Sequence, residues 1–151
     1  DAIAVGQVTP VPSFRVLVAD DDIDDHVLMK DGLAECTIPV QIDAVYDGIQ
    51  ALDYLLKRNA YEKIEGAPDL VLLDLNMPLV DGFGVLKQIK SHPHLRNIPV
   101  YGITTSRDTD QRNRALELGA DGFYTKGASR QEMIRIMKEV CVECFETSTA
   151  E

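Results

Sequence analysis

Short apolar runs rich in strand-forming residues recur along this chain at 14–19, 40–45, 70–73, 98–103 and 122–125. Between and after them, apolar residues return every three or four positions, the spacing of an amphipathic helix, over 24–36, 48–58, 83–91, 108–118 and 130–145. Five strands alternating with five helices leave little choice of fold. The strands pair in parallel, right-handed crossovers carry the helices, and the open sheet is covered on both faces. The start and stop signals agree with this reading. Ser129-Arg130-Gln131-Glu132 is a capping box, Asp108 with Gln111 is a weaker one, and Gly119 stands where a helix C-terminal cap belongs. A length of 151 residues suits one domain, with no internal repeat and no low-complexity tract. We expect the domain over 14–145, a loose arm over 1–13 and a tail over 146–151.

Several function classes drop out at once. A net charge of −10 opposes binding to nucleic acid, which needs a basic face. The apolar runs are strand-sized, so no membrane span is expected, and the first residues lack the basic start and apolar middle of a signal peptide. Three cysteines, an odd count, without a secretion signal fit a reducing cytoplasm. Cys141 and Cys144 lie in a helical pattern rather than at a strand-to-helix turn, so both read as packing thiols. His26 reads as a surface residue early in a helix, and His92 and His94 as part of a solvated loop.

In sheets of this kind, function collects at the carboxyl ends of the strands. The first strand ends in Asp20, Asp21 and Asp22, followed closely by Asp24 and Asp25. The third delivers Asp74 and then Asn76, the fourth Thr104, and the fifth Lys126. Crowded carboxylates repel, and a divalent cation offsets that repulsion. Magnesium takes hard oxygen ligands and usually keeps several waters, so a few carboxylates and a carbonyl suffice. A carboxylate is also a competent nucleophile toward phosphorus, and a cation, an ammonium and a hydroxyl suit the charge on a transferred phosphoryl group. Taken singly these residues have plainer readings: Asp22 or Asp24 as a helix cap, Lys126 as solvated surface, Asp81-Gly82 as a turn signal and nothing more. Their conjunction at four strand ends, in this order, is what carries the chemical reading.

The motifs LVADDD, DLVLLDLNMPLVDG, IPVYGITTS and LGADGFYTK, in that order, resemble the receiver domain of two-component response regulators from about residue 14 to residue 145. The stretch KQIKSHPHLRNIPV is similar to that of the small single-domain regulators serving phytochrome-type kinases. The resemblance implies a flavodoxin-like, doubly wound α/β fold with strand order 2-1-3-4-5. It implies Asp74 as phosphoacceptor and Mg²⁺, or Mn²⁺ in its place, held by Asp20, Asp21, Asp74 and the backbone carbonyl of Asn76. Lys126 and Thr104 would act on the phosphoryl group, and Thr104 and Phe123 would be the switch pair.

A sensor histidine kinase or phosphotransfer protein would be the donor, and a downstream protein the target. Self-association through helix 4, strand 5 and helix 5 would be open to it, and no output module is expected. Such a protein is not a conventional enzyme, although it catalyses its own phosphorylation and dephosphorylation. Two other readings stand beside this one: a receiver-fold interaction module independent of phosphorylation, and a haloacid-dehalogenase-type phosphatase, which wants Asp where this chain has Asn76. Two positions depart from the family pattern. Gly127 replaces the proline after the lysine, so a trans Lys126–Gly127 bond is expected, and Phe123 replaces a tyrosine.

Overall fold

Strand and helix alternate without interruption in the computed structural model, which describes residues 14–146 apart from 78, 106 and 128. The order is β1 (Phe14–Ala19), α1 (Ile23–Leu33), β2 (Val40–Val45), α2 (Gly48–Leu56), a 3-10 turn (Asn59–Tyr61), β3 (Leu70–Asp74), α3 (Gly82–Ser91), β4 (Val100–Thr104), α4 (Thr109–Glu117), β5 (Gly122–Thr125), α5 (Arg130–Cys141) and a π turn (Val142–Glu146). All neighbouring strands pair in parallel, in the order β2-β1-β3-β4-β5. The expected arm over 1–13 lies outside the described residues, as does all but the first residue of the expected tail.

Alternation along each strand decides which face a residue feeds. Leu17 and Ala19 of β1, with Val71 and Leu73 of β3, face α2, α3 and α4. Val16 and Val18, with Leu70 and Leu72, face α1 and α5. Strands buried on both sides must read as nearly continuous apolar runs, as VLVA and LVLL do.

Local signals set the boundaries. Pro99 lacks the N–H needed for a ladder, so β4 begins at Val100, two residues later than the sequence suggests. Asp22 caps α1, accepting from the N–H groups of Asp24 and Asp25, and Ser129 caps α5 through the Glu132 N–H. Gly119 follows α4 at φ +105°, a conformation that a side chain would strain. The Asp81-Gly82 pair does more than turn the chain. Asp81 caps α3 through the Gly84 N–H, and a Cβ on Gly82 would sit 2.3 Å from the carbonyl oxygen of Asp74. Glycine there lets the start of α3 press against the end of β3.

The cysteines correct the sequence reading. Cys141 is not a packing thiol but is disulfide-bonded to Cys36, 105 positions earlier, with their Cα atoms 5.6 Å apart. The pair forms because α1 and α5 lie side by side on one face of the sheet, bringing the end of one helix to the end of the other. Cys144 keeps its thiol, half-buried, so the CxxC spacing does not pair within itself. Beyond Cys141, Glu143 accepts from the hydroxyls of Tyr101 (2.9 Å) and Tyr124 (3.0 Å), tying the π turn back onto β4 and β5. Among the described residues, no helix is long and apolar enough to cross a membrane.

Candidate functional site

The register of the sheet brings the ends of β1, β3, β4 and β5 into one row, and the polar residues that follow them meet in one pocket. Asp20 follows β1, Asp74 ends β3, Thr104 ends β4, and Lys126 follows β5. Asp20, Asp74 and Thr104 are the buried polar residues of the described chain. Their backbones are tied to neighbouring strands: the Asp20 N–H donates to the carbonyl of Val45 (3.1 Å), and the Lys126 N–H to that of Thr104 (2.7 Å).

Asp20, Asp21 and Asp74 each offer a carboxylate oxygen within 4.8 Å of the other two, with Asp21 exposed and its two neighbours buried. Asp20 Oδ1 accepts from the Asp22 N–H (2.8 Å). Its Oδ2 is buried without a hydrogen bond of good geometry, although the Lys126 ammonium lies 2.8 Å away. Burial pushes the Asp20 carboxyl up to about 6; the Lys126 ammonium and the Asp22 N–H oppose that rise, and the charge of Asp74 adds to it. Three carboxylate oxygens gathered this closely suit a hard divalent cation, so Asp20, Asp21 and Asp74 fit such an ion.

Lys126 is held by three carboxylates. Its Nζ lies 2.7 Å from Asp25, 2.8 Å from Asp20 and 3.4 Å from Asp74. Burial alone would lower the affinity of this amine for its proton, but the contacts with Asp20 and Asp25 and the charges of Asp20 and Asp74 raise it above the ordinary lysine value. The Lys126–Gly127 bond is trans, since no cis peptide occurs among the described residues. Asp25 is the residue that sequence reasoning missed. It lies one helical turn after Asp21, a spacing visible in the chain, but its partner is 101 positions away.

Asn76 does two things at the loop after β3. Its N–H donates to Asp74 Oδ1 (3.0 Å), and its side-chain amide donates to the Thr104 hydroxyl (2.6 Å). The amide contact was not foreseen; only the backbone carbonyl was assigned a role. Phe123 stands apart from the acids. It pairs with Gly102 in the β4–β5 register and is half-buried beside a cavity of about 390 Å³ lined by Arg107, Asp108, Thr109, Arg112 and Thr125. His26 is half-buried rather than on the surface. One ring nitrogen lies 2.7 Å from the carbonyl oxygen of Asp20, and the ring packs against Tyr46.

Ile23, Val27 and Leu79 are exposed by 67, 51 and 72%, Leu79 holds a φ of +69°, and Ile23 and Val27 line a groove with Lys30, Val40 and Ile42 between α1 and β2.

Comparison with known proteins agrees with this geometry. Residues 16–138 match the family described as the response regulator receiver domain. The chain is 32% identical over 138 residues to the response regulator Rcp1 of Synechocystis sp., covering 91% of this chain and 93% of that protein. A crystal structure of the phosphorylated cyanobacterial phytochrome response regulator RcpA superposes with a TM-score of 0.85 at 33% identity, covering 90% of this chain and 96% of that one. The Mn²⁺-bound form of Rcp1 gives a TM-score of 0.79 at 31% identity, covering 84% and 91%.

Proposed function

The chain belongs to the response regulator receiver family, and on that premise we propose that it takes a phosphoryl group from a phosphohistidine onto Asp74. The observation that supports this most is the pocket itself. The Asp74 carboxylate lies within 4.8 Å of those of Asp20 and Asp21 and 3.4 Å from the Lys126 ammonium. An oxygen of Asp74 attacks phosphorus, the N–P bond of the donor breaks, and the imidazole leaves with the electron pair. Asp20, Asp21, Asp74 and the carbonyl of Asn76 would hold Mg²⁺. When bound, that ion offsets negative charge on the carboxylates and on the phosphoryl oxygens. Lys126 donates to a phosphoryl oxygen. The Thr104 hydroxyl, now accepting from Asn76, turns its own proton toward another. Water later hydrolyses the acyl phosphate and restores Asp74.

The donor we favour is a sensor kinase of phytochrome type, because three of the similar solved structures are of phytochrome or bacteriophytochrome response regulators. The exposed apolar side chains of Ile23 and Val27 on α1 suit contact with a phosphohistidine-bearing protein. Output would pass through Phe123 to α4, β5 and α5, as binding of a target protein or self-association. We place the protein in the cytoplasm, where Cys36 and Cys141 would stay bonded only under oxidising conditions. A haloacid-dehalogenase-type phosphatase finds no support in family membership or in Asn76. The test is incubation with acetyl phosphate and Mg²⁺ followed by intact-mass measurement. One phosphoryl adduct on the wild type and none on Asp74→Asn is the expected result; full labelling of that variant refutes the assignment.

A further inference from the structure

The geometry points to Asp25 as a positioning residue for this phosphoryl transfer, one that keeps the Lys126 ammonium at the pocket while Asp20 and Asp74 are otherwise engaged. The inference rests on the reading of Asp74 as phosphoacceptor.

An ammonium has three N–H donors and no acceptor. In this structure three carboxylates surround it, and Asp25 is the nearest at 2.7 Å. Two of the three, Asp20 and Asp74, belong to the set of oxygens fit for a cation, and Asp25 does not. Once a cation and a phosphoryl group occupy the pocket, the oxygens of Asp20 and Asp74 have other partners. Asp25 then remains as the one carboxylate of the three still available to Lys126.

The Lys126 backbone is fixed by its N–H bond to Thr104, but four methylenes separate that anchor from the charge. Gly127, which follows, has no ring to restrict the loop. Without a second tether the ammonium would sample solvent, and its effective concentration at the reacting oxygens would fall. Asp25 supplies that tether from the first turn of α1, which Asp22 caps. Its side chain is only 20% exposed, and the short contact is charge-assisted. The weakest of the three contacts, 3.4 Å to Asp74, is the one that faces the acceptor, so the donor aimed at the incoming group is the least committed.

A plainer role is also available to Asp25, since an acid in the first turn of a helix is stabilised by the helix dipole. That role predicts a loss of stability with no dependence on Lys126. The experiment separates the two with a double-mutant cycle. Labelling by acetyl phosphate in Mg²⁺ is followed by intact mass for wild type, Asp25→Asn, Lys126→Ala and the double variant. Asp25→Asn is expected to slow labelling about tenfold, as loss of a positioning contact does, and to change the rate by less than about twofold when Lys126 is already alanine. Asp25→Glu, which keeps the charge, should recover most of the rate. The Mg²⁺ concentration that gives half of the melting-temperature rise should be the same for wild type and Asp25→Asn.

Where the Lys126→Ala proteins label too slowly to compare, the melting-temperature rise on adding beryllofluoride, an unreactive phosphoryl stand-in, supplies the same four-way comparison. An unchanged or faster rate in Asp25→Asn overturns the inference, as does an equal loss in both backgrounds. A wild type that takes no label removes the acceptor assignment itself, and the positioning role falls with it.

Discussion

Replacing Asp20 by asparagine should make the metal-free protein more stable, although it deletes a buried residue from the centre of the site. Asp20 is 1% exposed, and its carboxyl is lifted from 3.8 to about 6, chiefly by burial. The folded state therefore ionises this group at a cost of about 3 kcal/mol relative to the unfolded chain. The sign follows from linkage. A folded-state value above the unfolded one means that stability from this group is fully present below 3.8 and lost as pH rises through about 6. At pH 7.5 the loss is complete in the wild type and absent in Asp20→Asn, which has no proton to lose. Lys126 keeps Asp25 and Asp74 in the variant, so no ammonium is stranded. We expect a gain of about 1–3 kcal/mol at pH 7.5, shrinking toward zero near pH 4. The chain has no tryptophan, so the assay is urea unfolding followed by circular dichroism in EDTA at both pH values. Saturating Mg²⁺ should reverse the order, because a ligand that binds only the native state raises stability by mass action, by about 2.7 kcal/mol at a hundredfold excess over Kd. If Asp20→Asn is the less stable protein at pH 7.5 without metal, the Asp20–Lys126 pair is a net stabiliser and the reasoning from burial is wrong.

Other outcomes follow from the same structure. Asp21→Ala should weaken Mg²⁺ binding strongly while leaving the metal-free protein at least as stable as wild type; a Mg²⁺ titration indistinguishable from wild type would count against a shared metal pocket. Reducing the Cys36–Cys141 bond, or replacing Cys36 by serine, should lower stability by about 2–4 kcal/mol, since it releases a long closed loop in the unfolded chain. Equal urea midpoints with and without dithiothreitol would show that the two sulfurs are not bonded in solution. Thr104→Ala should still accept phosphate on Asp74 but lose the response of α4, β5 and α5 in amide exchange with beryllofluoride. An undiminished response over residues 107–145 in that variant would separate Phe123 from Thr104.

The strands, the helices and most of the pocket were legible in the chain because each is a local or nearly local signal. Apolar alternation and helical spacing marked the elements. Asp20, Asp74, Thr104 and Lys126 were found because each stands at or just after the end of a strand, and parallel pairing brings those ends into one row. Ser129, Asp108 and Gly119 act within one turn of their helices, so their roles could be read without a fold. What the chain did not reveal are partnerships whose members lie far apart in it. Asp25 looked like one more acid at a helix start until α1 placed it 2.7 Å from Lys126. Cys141 looked like a core thiol until the packing of α1 on α5 set it against Cys36. Asn76 could be assigned a carbonyl, but not an amide 2.6 Å from Thr104, because that contact depends on how the loop after β3 settles against β4. A side chain's type and its spacing from strand or helix ends are written in the order of residues. Which distant group it meets depends on the distances that packing sets between elements, and those exist only once the whole chain has folded.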